Sequence, residues 1–368
     1  MKTKNFSFYA TGQIVATLFH ALFFIVFASF LTPETFGELS FWISIAGISS
    51  VIARFGLPYS VTIYQAKNNT LLVNQVNSLG VIFSIIAFVI LLFYDLWISI
   101  FALGISLFWF SQHNLLGQKK YKILSTTLII QSILFLTIPL LLYFFFDIIG
   151  ILLGLALANL LCSFHFFKNI SKNINSFQEI KKNWKIIIHN FAVDLSISLP
   201  TILDKILIVY LYGFVFNGIY HFNMQILAGL SILPYMLHGY LLSEESSQND
   251  NRKLIYLIIT VNVILVLFSV LLAPIFVDEF YPAYSEGILS LQVLVIASIP
   301  LTLASVFSAK LQARESTLVG YSLLIRIVPL LILIYALGGL YGLVGLSTAV
   351  LISNTSYVIF LGLMLRKS

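Results

Sequence analysis

Residues 31–67 read LTPETFGELSFWISIAGISSVIARFGLPYSVTIYQAK. The stretch describes an outside turn, one membrane-spanning helix carrying a cation, and a return to a basic inner rim. Arg54 stands nine residues before Ile63, where the apolar run ends, about 14 Å away at a rise of 1.5 Å per residue. An arginine stem covers about half of that distance, so snorkelling to the near interface does not account for it. A guanidinium at such depth costs roughly 3 kcal/mol or more, and such residues face the interior of a bundle or a water-filled cavity. Arg54 is therefore expected to face an internal cavity, with the rest of the chain as its walls.

Of the 368 residues, 60% are hydrophobic and 9% charged. Soluble domains carry about 25% charged residues, so the composition is that of an integral membrane protein. The formal charge of +6 would suggest nucleic acid in a soluble protein. Here its placement in one set of alternate loops is a topology signal instead, and no nucleic-acid partner is expected. The single cysteine, Cys162, lies in an apolar segment and excludes an internal disulfide. The run Tyr9–Leu31 after MKTKN is longer than a secretory signal's apolar core and reads as a retained first helix.

Apolar runs of spanning length recur near 9–31, 39–63, 72–93, 97–116, 123–145 and 148–167, then 186–212, 219–242, 254–277, 288–311, 317–337 and 342–364. The expected fold is all-α, with about twelve transmembrane helices in two six-helix lobes around a central cavity. Loop cations, from Lys2 and Lys4 through Lys119, Lys120, Lys168, Lys172, Lys181 and Lys182 to Arg314 and Arg366, share one side. Glu34, Glu38, Asp95, Asp147 and Asp278 occupy the other. Both termini are thus expected in the cytoplasm. The basic linker 168–185 separates a lobe of 1–167 from a lobe of 186–368. Phe36-Gly37-Glu38-Leu39 has a counterpart in Asn217-Gly218-Ile219-Tyr220, and Gly150 and Gly154 resemble Gly342 and Gly345. Six helices per half relate the repeats by an axis along the membrane normal.

Outside the loops the spans retain Arg54, Lys205 and Arg326 as cations, and Asp194 and Asp204 as acids. Ser40, Ser44, Gly47, Ser50, Arg54 and Pro58 step by three or four along span two. Asn190, Asp194, Ser198, Thr201 and Lys205 do so along span seven, with Asp204 on the flank. Gln13, Thr17 and His20 make a stripe in span one, and His221 with Gln225 another in span eight. Polar faces on these four helices suit a water-filled path. Small residues also serve plain helix packing, and Asp204 could simply neutralise Lys205 or Arg326. The excess of cations points to anionic cargo, with Asp194, Asp204 and His20 as candidates for coupling to sodium ions or protons. No P-loop, HExxH, paired CxxC or Gly-x-Ser-x-Gly motif occurs, so neither a cofactor nor a resident metal is expected and the chain does not read as an enzyme.

Three segments carry a resemblance to a known family: FASFLTPETFGELSFWISIAGISSVIARFGLPYSVTIYQAK (27–67), SLPTILDKILIVYLYGFVFNGIYHFN (198–223) and EFYPAYSEGILSLQVLVIASIPLTLASVF (279–307). The chain resembles the polysaccharide flippases, the O-antigen-type transporters of lipid-linked repeat units, in the multidrug/oligosaccharidyl-lipid/polysaccharide exporter superfamily. The resemblance implies a multi-pass cell-membrane protein, monomeric, that moves an isoprenoid-pyrophosphate-linked oligosaccharide outward by alternating access. Its partners would be that cargo, membrane lipids and glycan-assembly enzymes. Arg54 would hold the pyrophosphate, with Lys205 and Arg326 assisting. A cation-coupled drug exporter of the same superfamily, and a membrane polysaccharide polymerase or glycosyltransferase, are the rival readings.

Overall fold

A chain this apolar satisfies its backbone in lipid by helices, and helices account for nearly all of the structure. The computed structural model describes residues 2–167, 177–232, 234, 252–313 and 318–367. Lys168, Lys172, Arg314, the linker stretch 168–176 and most of 233–242 in the expected eighth span lie outside the described residues. In chain order the helices are α1 (Lys2–Phe30), α2 (Pro33–Arg54), α3 (Leu57–Ala66), α4 (Thr70–Leu92), α5 (Leu96–Gly117), α6 (Tyr121–Cys162), α7 (Phe164–Phe167), α8 (Gln178–Lys182) and α9 (Trp184–Ser198). They continue with α10 (Leu203–Leu230), α11 (Arg252–Phe280), α12 (Ile288–Ile296), α13 (Ser298–Ala313) and α14 (Leu318–Lys367). Short side chains start two of them: Asn69 accepts the Leu72 amide at 3.1 Å and Asp95 that of Ile98 at 2.8 Å.

Among the described residues nine helical runs are long and apolar enough to cross a membrane. Three of these, of 46, 47 and 43 residues, are about twice the length a bilayer requires. Each turns back on itself at one residue with non-helical backbone: Asp147, Gly213 and Gly342. The return is visible in contacts. Asp204 and Tyr220 would lie about 24 Å apart on a straight helix, yet the Tyr220 hydroxyl donates to the Asp204 carboxylate at 2.8 Å. Splitting the three long runs gives twelve helical segments among the described residues, and the large apolar side chains left exposed, such as Phe93, Phe145 and Leu271, are those a lipid environment covers.

The expected repeat is present in geometry. A Cβ on Gly37 would overlap the Phe214 carbonyl, and one on Gly218 would overlap that of Pro33, so the two matched segments cross reciprocally and only glycine permits the approach. The second glycine pairing needs correction by one turn position. Asp147 (φ 50°, ψ −139°) matches Gly342 (φ 57°, ψ −135°), and Gly150 matches Gly345, each pressed on a carbonyl of the preceding arm, Leu142 and Leu337. Polar links between helices follow the same symmetry. Asn77 and Asn114 exchange bonds of 3.1 and 3.0 Å, and Asn262 donates to Ser298 at 2.9 Å. Asp147 holds a backbone conformation that its counterpart meets with glycine, at a cost on the order of 1–3 kcal/mol. Asp147→Gly is therefore expected to raise the thermal midpoint in detergent by an amount equivalent to about 1 kcal/mol. An unchanged or lowered midpoint would count against the strain.

The chain forms two compact units. One comprises Met1–Phe23 and Trp42–Ser198, the other Phe24–Phe41 and Leu199–Ser368. In the first, Leu57, Val61, Leu72, Val76, Phe110, Phe166 and Ile187 form the main core, and α9 packs on α3. In the second, Ile208, Tyr220, Leu294, Ile334 and Leu346 do so. Phe24–Phe41 is held in the second unit by the Gly37–Gly218 crossing and by Tyr284, whose hydroxyl donates to the Leu31 carbonyl at 3.1 Å.

Candidate functional site

Span two is not one helix. It ends at Arg54, and Phe55 (φ 48°) and Gly56 (φ 66°) turn the chain before α3 begins with Pro58 in its first turn. Two consecutive left-handed residues are costly for Phe55. Its ring is stacked on Phe191 at 4.3 Å and Trp184 at 5.5 Å, which offsets the strain by packing. Gly56 lies directly on the backbone of Asn190 and Phe191 in α9. That close approach brings the polar stripes of spans two and seven together.

At the junction Arg54 Nη2 meets both carboxylate oxygens of Asp194, at 3.2 and 3.3 Å. Both residues are fully buried, at 2% and 1% exposure. Arg54 also donates to Ser50 Oγ at 3.5 Å, while its Nε has no partner. Ser106 bonds Ser50 at 3.1 Å, Ser198 bonds Asp194 at 3.4 Å, and Asn190 bonds Ser60 at 2.9 Å. The guanidinium lies 4.2 Å from the ring centre of Trp109, which stacks on His113, an arrangement worth about 2 kcal/mol when water is excluded. At 3.2 Å and an effective dielectric near 20 the ion pair attracts by about 5 kcal/mol. Desolvation of the two ions costs a comparable amount, so the pair is close to neutral for stability while being expensive to break.

The charge of Arg54 is thus balanced inside the first unit, where Asp194 reaches it through the Gly56 contact. The second unit repeats the device. Lys205 Nζ lies 3.3 Å from Asp204 and bonds the Thr201 carbonyl. Asp204 further accepts from Tyr220 at 2.8 Å and from the Lys205 amide at 2.8 Å. Asp204 therefore takes the neutralising role toward Lys205. Of the expected excess of buried cations, Arg326 remains: among the described residues no carboxylate pairs with it, and its Nε donates to Asn354 at 2.9 Å. His20 joins Gln131 at 3.3 Å, and His221 joins Gln225. Sequence reasoning missed Ser106, Trp109 and His113, though they too step by three and four along one face of α5. It also missed Tyr220 and Asn354, which no local spacing reveals.

Comparison with known proteins fits this architecture. A family model described as "Polysaccharide biosynthesis protein" matches residues 3–237. An uncharacterized membrane protein of Methanocaldococcus jannaschii is 27% identical, the alignment covering 91% of each chain. Among solved structures, an inward-facing multidrug resistance MATE family transporter of the MOP superfamily superposes with a TM-score of 0.77 at 16% identity, covering 96% of this chain and 94% of that one. The lipid II flippase MurJ in an inward closed conformation gives 0.63 at 15% identity, covering 98% and 86%. A MOP superfamily transporter from Pyrococcus furiosus gives 0.59 at 16% identity, covering 98% and 93%. These likenesses are of fold: an all-α membrane protein with twelve transmembrane helices in two six-helix lobes. With more than half of its length matched by one family model, the chain belongs to the polysaccharide biosynthesis protein family.

Proposed function

We propose that the protein is a transporter that carries an isoprenoid-pyrophosphate-linked oligosaccharide from the cytoplasmic to the outer leaflet of the cell membrane, for assembly of cell-surface polysaccharide. The observation that carries this reading is the family match over residues 3–237, on a fold it shares with a protein described as a lipid II flippase. The physics agrees. A glycan cannot cross hydrocarbon unaided, while a polyprenyl tail can stay in lipid beside the protein. No bond is made or broken. The work is a change of access between states a few kcal/mol apart, within reach of cargo binding or an ion gradient. Both termini are cytoplasmic, following the lysines and arginines.

Arg54, Lys205 and Arg326 are proposed cargo contacts, and Asp194, Asp204 and His20 the groups through which sodium ions or protons act. Because Arg54 and Lys205 are already paired, cargo phosphates reach them by displacing a carboxylate. The partners are the lipid-linked cargo, membrane lipids and the enzymes that assemble the glycan, and the working form is a monomer. Deleting the gene from its native cell should cause lipid-linked oligosaccharides to build up, shielded from a membrane-impermeant lectin in intact cells. An unchanged amount and sidedness of these lipids would overturn the reading.

A further inference from the structure

We infer that Asp204 and Lys205 act together as a side-chain splint across the break in span seven, standing in for a backbone hydrogen bond that the break removes and making the break a hinge with two forms. The inference goes beyond the transport reading above and stands whatever the cargo is. Span seven is interrupted by the 3₁₀ segment Leu199–Thr201, where the chain passes from the first compact unit to the second. Pro200 has no amide hydrogen, and its ring opposes a regular helix there. The Ile202 amide reaches back only three residues, to the Leu199 carbonyl at 3.2 Å, and the ladder resumes with Ile206 on Ile202 at 3.4 Å. In an unbroken helix the Lys205 amide would donate to the Thr201 carbonyl. Here that amide donates to Asp204 Oδ1 at 2.8 Å, and the Thr201 carbonyl accepts from Lys205 Nζ.

Both ends of the lost rung are thus served by the side chains of two adjacent residues, which themselves meet at 3.3 Å. The Tyr220 hydroxyl holds the other Asp204 oxygen at 2.8 Å. Asp204 and Tyr220 are fully buried and Lys205 is 8% exposed, and a backbone group freed at such a place needs a partner from the protein. The internal repeat shows what the pair is for. Fourteen and thirteen residues before the matched glycines Gly37 and Gly218 stand Phe23 and Phe24 in the first half, and Asp204 and Lys205 in the second; eighteen before stand Phe19 and Pro200. In the first half, without the proline, α1 runs unbroken from Lys2 to Phe30, and the two positions are apolar. In the second half the proline, the break and the charged pair occur together. If the helix closes over Thr201, amide and carbonyl recover each other, and the ammonium and carboxylate are released together. The exchange trades side-chain bonds for a backbone bond, so little separates the two forms in energy.

The test uses the full-length protein in phosphatidylcholine nanodiscs and reads amide hydrogen exchange over residues 203–206 by mass spectrometry. Asp204→Leu combined with Lys205→Met removes both charges and keeps the volume. The combination is made in the wild-type background and again with Pro200→Ala, which lets the helix close. In the wild-type background exchange should quicken roughly 10- to 100-fold, the loss of two hydrogen bonds. With Pro200→Ala it should change by less than about threefold, because the backbone rung replaces the splint. Tyr220 loses its acceptor in both backgrounds, so that loss cancels. Equal effects in the two backgrounds would reduce Asp204 and Lys205 to a self-neutralising pair and overturn the splint, as would no effect in either. Should the combined variant not fold, Lys205→Arg and Lys205→Met are compared singly. Arginine keeps a cationic donor for the Thr201 carbonyl and should hold exchange within about threefold of wild type, whereas methionine should quicken it roughly tenfold or more. Equal exchange in these two variants would overturn the splint.

Discussion

Arg54→Ala is expected to destabilise the first unit by about 3–5 kcal/mol, because it leaves the Asp194 carboxylate buried and unpaired. Export would fall in this variant through loss of folded protein, before any question of cargo arises. The informative comparison is Arg54→Met with Asp194→Leu, which removes both charges and keeps the volume. Such replacements of a buried pair are close to neutral or stabilising. A cycle of Arg54→Ala, Asp194→Ala and the double variant, read by melting in detergent, should give a coupling of about 2–3 kcal/mol. Additive single effects would mean that the pair at 3.2 Å does not hold in the membrane. If the folded double-apolar variant still moves cargo, the pair is architectural; if it folds and is inactive, Arg54 or Asp194 acts in transport.

The second large effect is expected at the reciprocal glycine crossing. Gly37→Val and Gly218→Val each drive a side chain into a backbone carbonyl, that of Phe214 or Pro33, which cannot swing aside as a flexible side chain would. Each should cost about 3 kcal/mol, the upper end for overpacking. Because both act on one crossing, the double variant should lose much less than the sum. Two independent, fully additive losses would show that the segments do not meet there. The Asn217 amide donates to the Gly37 carbonyl at 2.8 Å, and the displacement would strain that bond in either variant.

The helix count was legible in the sequence, and so was the presence of Arg54 and Asp194 within the spans, since a bilayer demands runs of about twenty apolar residues and makes each interior charge conspicuous. The spacing of Ser50, Arg54 and Pro58 and that of Asn190, Asp194 and Ser198 marked two polar faces among four, and that these two meet is visible only in the structure. What spacing could not supply was the partner. Arg54 and Asp194 are far apart in sequence, and only the turn at Phe55–Gly56 brings α9 close enough. Periodicity ran through that turn and through the 3₁₀ segment Leu199–Thr201, so spans two and seven each read as one helix. Gly56 and Pro200 were the local signals of both breaks. The repeat at residues 36–39 and 217–220 was readable because both copies keep glycine. At the hairpin turns the first copy carries Asp147 where the second carries Gly342, and matching by glycine slipped the register. Composition counts Arg54, Lys205 and Arg326 alike, whereas tertiary contacts distinguish them: the first two have a carboxylate partner, and among the described residues the third has none.

The measurement that bears most directly on the account is transfer of a lipid-linked oligosaccharide across the bilayer of liposomes holding the purified protein, followed by its accessibility to an impermeant lectin. The account predicts that the shielded pool becomes accessible far faster than in protein-free liposomes, and that Arg326→Gln slows this change. Identical rates with and without the protein, under an imposed sodium or proton gradient as well as without one, would contradict it.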